Sequence, residues 1–472
     1  MAIRRIVAAA LALLCLGSVA AGKAGAQDVP APAISPDPLP DVPPTPSGQD
    51  PFPFFDNYSW RSFIALNWPA FDDPAKRGQP DRSKPFGDAS GPRVWTTWKS
   101  RIEIFQPGGK DPSAWTSYEG VNPCGPSFTN DVVTLSAFTA FGDFNQAVFS
   151  LGDLGNPLIA QNQTYVRYEV RVNQTEFDSI VRNRWYIEAN LPKPENPVPF
   201  GQGSTEVKAA WRVLTDRDTS AIRARYYIVH DANVFDVAAN KCVSRDIALV
   251  GFHIVTKTPH RPQWIWSTFE QVDNVPGLTT EPKPPTGIAL SFNDPSKPQA
   301  LDPARRPKAI SPTNPPVASP APMQVVRKQQ IQPETMKMNN AYWSLPGIKG
   351  TVWENYMLVA TQWPTQISPE DPNNDGKPFP DGGSEIANTT METYFQFDGG
   401  SCMTCHQISN EQGRDLVMFV TMDAFRPGAL ATADLFSTQL ARGKQAPPSS
   451  PPLGSDPMMK SLMQFFQAAE NQ

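Results

Sequence analysis

Histidine and cysteine are scarce in this chain of 472 residues, which contains four His and five Cys. Because zinc hydrolases and similar sites need several such ligands at close spacing, this scarcity argues against them. The sequence also has no Gly-rich phosphate loop, no Ser-His-Asp ordering and no paired-His metal motif. Very few residues are therefore left that could bind a metal or carry out nucleophilic catalysis.

An excess of basic residues is missing as well. The chain has 41 Lys and Arg against 46 Asp and Glu, which gives a formal net charge of −5. Proteins that bind nucleic acid usually carry clustered positive charge. We therefore expect no nucleic-acid partner.

Long hydrophobic runs are confined to the beginning of the sequence. Arg4 and Arg5 form a basic start, residues 6–16 are apolar, and small residues at 24–26 offer a cleavage site. This pattern predicts a signal peptide over residues 1–26 and an exported, periplasmic mature chain without a membrane span. Removal of the signal peptide would leave 38 basic residues against 46 acidic ones and a net charge of −8.

The most specific pattern is Cys-x-x-Cys-His, formed by Cys402, Cys405 and His406. This is the spacing at which a c-type haem is covalently attached. The two thiols would form thioethers with the haem vinyl groups, and the imidazole would bind the iron. Its other ring nitrogen would donate to a backbone carbonyl. We therefore predict one covalent haem c.

Two other functions of a Cys-x-x-Cys pair have to be weighed. A thioredoxin-like pair should follow a buried strand inside a βαβ unit, whereas residues 395–400 are a short lead-in that ends in glycines. A structural zinc site needs two more Cys or His ligands, and the nearby sequence has no second pair. Haem is the interpretation that the sequence favours.

The sixth iron ligand is left open by the sequence. A Met thioether would give a high-potential electron carrier, a second His a lower-potential one, and an open position would admit a substrate. The candidates are His253 in a predicted strand, Met391 before the motif, Met418 and Met422 soon after it, and Met458 further on. Packing in the protein core is the competing role for each of them.

Cys124 and Cys242 remain in the mature chain once the motif has taken two cysteines. In an oxidising compartment they are candidates for a disulfide. Closing a loop of more than about a hundred residues would stabilise the fold by about 4 to 5 kcal/mol in the chain-entropy model. Two separate buried thiols are the alternative.

Proline, with 52 residues, marks the candidate boundaries. Its clusters predict an extended tether over residues 27–53 and a linker over residues 276–335. Residues 54–275 would form a β-rich domain, and residues 336–472 a mainly helical segment that binds haem c. The predicted fold class is α+β, with an antiparallel, sandwich-like main domain.

Alternation of apolar and polar residues with period two predicts the strands. They cover residues 132–138, 165–173, 206–214, 225–230, 247–257 and 263–270. A turn-like connector at 258–262 predicts that the last two form a hairpin. Helical spacing predicts one helix around Trp60, capped by Asp56 or Asn57, and another around Trp353.

Four phrases of the sequence lie at residues 60–69, 264–274, 388–394 and 401–406. On these phrases the chain resembles a family of exported mono-haem proteins, described only as cytochrome c family proteins of uncharacterised role. The resemblance implies haem attachment at Cys402 and Cys405 and iron ligation by His406. It implies no catalytic residue.

The sequence thus predicts a periplasmic electron-transfer cytochrome with an unidentified redox partner protein. Two alternatives stay open, because a simple shuttle needs only about a hundred residues around one haem. One is a haem-dependent oxidoreductase for a small substrate or peroxide, which would need an open iron position and a nearby acid or base. The other is a sensory or binding module with a structural haem, marked by an aromatic surface that could include Trp264 or Trp266.

Overall fold

The structure is a computed structural model. It describes residues 29–42, 45, 48–119, 134–135, 156–236, 241–299, 307–310, 314–364, 378–379, 387–394, 396 and 402–425. The predicted signal peptide, Cys124 and Met458 lie outside these residues. Predictions that concern them stay predictions.

In the part of the chain that the structure describes, nine strands form one sheet. They are β1 (Lys99–Ser100), β2 (Thr134–Leu135), β3 (Arg167–Val172), β4 (Thr205–Val213), β5 (Ile228–Asp236), β6 (Lys241–Thr258), β7 (Arg261–Gln271), β8 (Tyr356–Pro364) and β9 (Pro378–Phe379). Seven strands follow the order β1-β3-β4-β6-β7-β8-β9, while β2 pairs with β5 and β5 with β6. The pair of β2 and β5 is parallel, and the remaining pairs are antiparallel.

The prediction of an antiparallel, β-rich fold is confirmed. β3, β4, β6 and β7 overlap the predicted strands, and Thr258 pairs with Arg261 in the predicted hairpin between β6 and β7. The sandwich-like packing is not seen in the described part of the chain, where the strands belong to a single sheet. The predicted helix around Trp353 is wrong, because a short 3₁₀ turn at Val352–Asn355 leads directly into β8.

Seven α-helices accompany the sheet in the described ranges. They are α1 (Phe52–Leu66), α2 (Arg101–Ile104), α3 (Gln174–Asn183), α4 (Ser220–Arg223), α5 (Pro333–Trp343), α6 (Cys402–Glu411) and α7 (Phe419–Asp423). None of the helices that the structure describes is long and apolar enough to cross a membrane.

The helix predicted around Trp60 is α1, but its predicted cap is wrong. The helix begins at Phe52, and Asp56 and Asn57 are buried inside it. Asp56 accepts hydrogen bonds from the hydroxyls of Thr335 and Thr361, at 2.7 and 2.8 Å. The Asp56 carboxylate therefore binds partners that are far away in the sequence and does not cap the helix.

The two faces of the sheet are covered differently. α1 and α5 lie on one face, where Phe63, Phe252 and Phe269 are part of the main apolar core. The other face carries Lys208 and His253, which stand opposite each other in the register of β4 and β6. We call this second side the motif face, since α6 and residues 387–394 pack against it.

Both proline-rich segments contain buried side chains in their described parts. Val42 of the first segment and Phe292, Val325 and Ile331 of the second are at most 2 % exposed. Their apolar side chains therefore contribute to the packed body. The division of the chain into separate domains stays a prediction.

Candidate haem site

The Cys-x-x-Cys-His motif forms the first turns of α6. Helical spacing puts positions 402, 405 and 406 on one side of the helix. The side-chain oxygen of Gln362 in β8 accepts a hydrogen bond from the backbone N of Met403, at 2.8 Å. Cys402 is partly buried and forms no disulfide, whereas the side chain of Cys405 lies outside the description. The motif is thus fixed to the sheet at its second residue.

The imidazole of His406 is held in one orientation. Its Nδ1 lies 2.7 Å from the backbone carbonyl oxygen of Leu416. Because a carbonyl only accepts, Nδ1 must carry the proton. Burial lowers the pKa of His406 to about 4, so the ring is neutral at pH 7 and Nε2 keeps its lone pair. This is the tautomer that binds a metal through Nε2, with the carbonyl partner that the motif predicts.

The carbonyl of Leu416 is positioned by a tight turn. Asp415 and Leu416 have φ angles of 51° and 65°, a left-handed conformation that is uncommon for residues other than glycine. The Asp415 carboxylate accepts from Nζ of Lys257 at 2.6 Å and from the backbone N of Phe200 at 2.7 Å. Its backbone carbonyl accepts from the indole of Trp264 at 3.0 Å. Tertiary contacts therefore hold the unfavourable backbone that presents the carbonyl to His406.

Three charged or titratable side chains share the motif face with His406. Nε2 of His253 lies 3.5 Å from Oε1 of Glu392, and this buried nitrogen makes no hydrogen bond. Burial and the Leu416 carbonyl have the largest effects on the pKa of His406. The charges of Lys208, His253 and Glu392 have smaller effects on it. Burial lowers the pKa of Lys208 to about 8. These side chains thus surround the space next to the motif.

Residues 387–394 form the wall that carries Glu392. The side-chain amide of Asn388 donates to Thr268 at 3.0 Å, and a methyl group added at Gly251 would lie 2.1 Å from the Thr390 hydroxyl. Thr390 therefore sits directly on the backbone of β6. This close approach brings Glu392 beside His253.

The centre of the motif face is incompletely covered by the described residues. Partly exposed side chains on this face are Val170, Glu206, Lys208, His253 and Val255. The residues that alternate with them along β4 and β6 point to the opposite face and are at most 1 % exposed. They are Val207, Ala209, Phe252 and Ile254. Space therefore lies over the central strands, between α6 and residues 387–394.

The residues present fit a c-type haem. Cys402 forms no disulfide, His406 offers a neutral ring nitrogen, and Nε2 of His253 makes no hydrogen bond to the described residues. No group of three or more His, Cys, Asp or Glu that could hold a bare metal ion occurs within the described residues. Haem iron does not need such a group, because the porphyrin supplies the equatorial ligands and the protein the axial ones.

The candidate sixth ligands lie in different places. Met391 is 2 % exposed and packs in an apolar cluster with Tyr168 and Tyr394. Met418 is buried, while Met422 is 39 % exposed on α7. His253 lies on the motif face, and Met458 lies outside the described residues.

Two further predictions concern residues away from the motif. Cys242, in β6, is disulfide-bonded, and its pairing with Cys124 stays a prediction. Trp264 and Trp266 are 0 % and 4 % exposed, so neither belongs to an exposed aromatic surface. Trp266 instead packs against His406, with 4.5 Å between the ring centroids.

Comparison of the chain with protein-family models, with curated proteins and with solved structures finds no match. The function is therefore inferred from the residues of the site itself. The sequence pointed to Cys402, His406 and His253, but it missed Lys208 and Glu392. Period-two spacing could have placed Lys208 on one strand face, whereas no local pattern marks Glu392.

Proposed function

We propose that this chain is an exported, periplasmic c-type cytochrome that carries one covalent haem c and transfers electrons. The observation that carries the proposal is the orientation of His406. Its Nδ1 is bound by the Leu416 carbonyl, so that Nε2 is available on the motif face. The same helix begins with the thiol of Cys402, which forms no disulfide. Residues 1–26 would be the signal peptide, and mainly helical structure would complete the haem segment to residue 472.

Each residue has a separate role in this proposal. Cys402 and Cys405 would attach the haem through thioethers, and Nε2 of His406 would bind its iron. The Leu416 carbonyl keeps the ring in one tautomer and raises its basicity. The ammonium of Lys208 offers positive charge to the carboxylates of the haem. When bound, the haem supplies one-electron chemistry, with a potential set by its axial ligands and surroundings.

A haem-dependent oxidoreductase is the second candidate, and the pair of His253 and Glu392 favours it. Their facing atoms lie 3.5 Å apart, so an acid and a base stand together near the motif. If the iron had an open position, this pair could move a proton to or from a small bound substrate such as peroxide. The sensory alternative has less support, because Trp264 and Trp266 are buried against the motif.

The first test is covalent haem attachment in protein matured by a host that makes cytochromes c. We expect a haem c spectrum in alkaline pyridine and one haem mass on the peptide that contains Cys402 and Cys405. The double variant Cys402→Ala/Cys405→Ala should lose both signals. His230→Ala is the matched control, since this ring is 71 % exposed and faces Asp246; it should keep them.

Electron transfer is tested on the same material. Protein-film voltammetry should give a reversible one-electron wave, and the reduced protein should pass its electron to a soluble cytochrome acceptor. Wild-type protein without covalent haem would refute the proposal. A haem that is loaded but redox-inactive would refute the electron-transfer part alone.

A further inference from the structure

We propose that His253 of β6 is the sixth ligand of the haem iron, on the side opposite His406. This inference depends on the proposed function, because it requires haem c on the motif. It extends that function by naming the side chain that would occupy the sixth coordination position of the iron. The consequence is a site built for electron transfer, without an open position for a substrate.

The strand register brings His253 towards the motif. Val255 of β6 pairs with Trp266 of β7, and His253 is two residues before Val255 on the same strand face. His253 and Trp266 are therefore diagonal neighbours, which lie about 7–8 Å apart across an antiparallel pair. Because Trp266 touches the ring of His406, the two imidazoles border the same space.

Nε2 of His253 makes no hydrogen bond to the residues that the structure describes. This nitrogen is buried, and Oε1 of Glu392 at 3.5 Å is too distant for a well-formed hydrogen bond. The other carboxylate oxygen of Glu392 accepts from the backbone N of Asn388 at 2.9 Å, which holds this side chain in place. Leaving such a nitrogen unpaired is unfavourable. An iron ligand bond would satisfy it.

The methionines near the motif are on the wrong side of His406. The Leu416 carbonyl binds Nδ1, while the iron would bind Nε2 across the ring. Met418 follows Leu416 by two residues, so its backbone lies behind the proximal histidine. Met422 is four residues further on and exposed on α7. Either side chain would have to pass around the haem to reach the opposite axial position.

The remaining described candidates are engaged elsewhere. Met391 is buried in the cluster of Tyr168 and Tyr394. Nδ1 of His230 lies 3.0 Å from Asp246, and His260 faces Asp41, both at exposed positions. Within the described residues, His253 is the candidate on the motif face whose Nε2 makes no hydrogen bond.

The test uses mature, haem-loaded protein. Oxidised wild-type protein should show a low-spin electron paramagnetic resonance spectrum, and the reduced form should not bind carbon monoxide. In His253→Ala the low-spin signal should be lost, and the reduced haem should bind one carbon monoxide. Added imidazole should restore the low-spin signal by entering the space left by the side chain. The matched control His230→Ala should behave as wild type.

The outcomes separate the two proposals. No haem c spectrum in alkaline pyridine would overturn the proposed function and this inference together. A haem c spectrum with high-spin, carbon monoxide-binding iron in wild type would overturn the inference alone and favour the acid–base role of His253 and Glu392. If His253→Ala stays low-spin, another residue is the ligand and the inference is wrong.

A second measurement keeps the inference testable if His253→Ala fails to fold. Near-infrared magnetic circular dichroism of oxidised wild-type protein distinguishes two imidazole ligands from an imidazole and a thioether. A bis-imidazole band supports His253. A thioether band overturns the inference and directs attention to Met458.

Discussion

Replacing Asp415 by Ala tests how the turn behind His406 is held. The side chains of Asp415 and Lys257 are 1 % and 4 % exposed, and their charged atoms lie 2.6 Å apart. The substitution leaves the Lys257 ammonium buried without this partner and the backbone N–H of Phe200 without its acceptor. Breaking a buried ion pair from one side costs about 3–5 kcal/mol, and an orphaned buried N–H about 1–3 kcal/mol. Because the two effects share one carboxylate, we expect a loss of about 4 kcal/mol in the free energy of unfolding.

In the proposed haem-loaded protein, the same substitution should also affect the iron through Leu416. Alanine tolerates the left-handed backbone of Asp415 less well than aspartate does, so the Leu416 carbonyl should move away from Nδ1 of His406. A weaker hydrogen bond makes the imidazole a poorer donor to oxidised iron. We therefore expect the reduction potential to rise by tens of millivolts, at about 59 mV for each 1.4 kcal/mol.

Urea unfolding, followed by circular dichroism, and voltammetry are the assays. Adding Lys257→Met to Asp415→Ala removes the orphaned charge and should recover more than half of the lost stability. Glu334→Ala is the control, because its partner Lys337 is 77 % exposed and such a surface pair contributes less than about 1 kcal/mol. A stability change below about 1 kcal/mol in Asp415→Ala would refute this account of the turn.

Two further predictions concern the motif face. Gly251→Ala should cost about 1–3 kcal/mol in urea unfolding, because the new methyl group meets the Thr390 hydroxyl at 2.1 Å; Thr390→Ala should recover part of this, and additive losses would contradict the contact. Burial raises the pKa of Glu206 from 4.5 to about 8, so the folded chain keeps a proton that the unfolded chain releases. Stability should therefore fall between about pH 4.5 and pH 8. Glu206→Gln should remove a few kcal/mol of that fall, on the order set by linkage, and an unchanged pH profile of the urea midpoint would count against it.

Period-two spacing predicts a strand most directly where one face is less buried than the other. In β4 the partly exposed Glu206 and Lys208 alternate with the buried Val207 and Ala209, which gives period two. The apolar spacing that predicts a helix around Trp353 continues into β8, a strand in which all nine residues are buried. A strand buried on both faces reads as a continuous apolar run, and periodicity alone cannot distinguish it from a buried helix.

The predicted cap of α1 is wrong because its polar residues bind partners that are distant in the sequence. Asp56 and Asn57 are typical helix-capping residues, and the apolar spacing around Trp60 follows them. Their actual partners are Thr335 and Thr361 for Asp56 and Tyr342 for Asn57, all more than 250 residues further along the chain. Tertiary hydrogen bonds of this range leave no local signal in the sequence.

The residues of the candidate site also fall into two groups: those that local spacing predicts and those that long-range contacts position. Cys402 and His406 are found from local spacing, because their chemistry requires a single helical turn. The Leu416 carbonyl is ten residues away, but its position depends on the contact of Asp415 with Lys257 in β6. Glu392 is placed by the packing of Thr390 on Gly251. These long-range contacts set the geometry around His406, and the sequence alone does not show them.

The family resemblance depends on four phrases, and most of the phrase at 264–274 lies in β7. This strand contacts the other three phrases, at 60–69, 388–394 and 401–406. On one face, Phe269 packs against Trp60 of α1, with 5.3 Å between the ring centroids. On the motif face, Glu270 accepts from the backbone N of Thr389 at 2.8 Å, and Trp266 packs against His406. Successive side chains of a strand point to opposite faces, so one short segment can bind both layers. The sheet therefore packs directly against the motif through β7, and the same strand binds the helix on the opposite face.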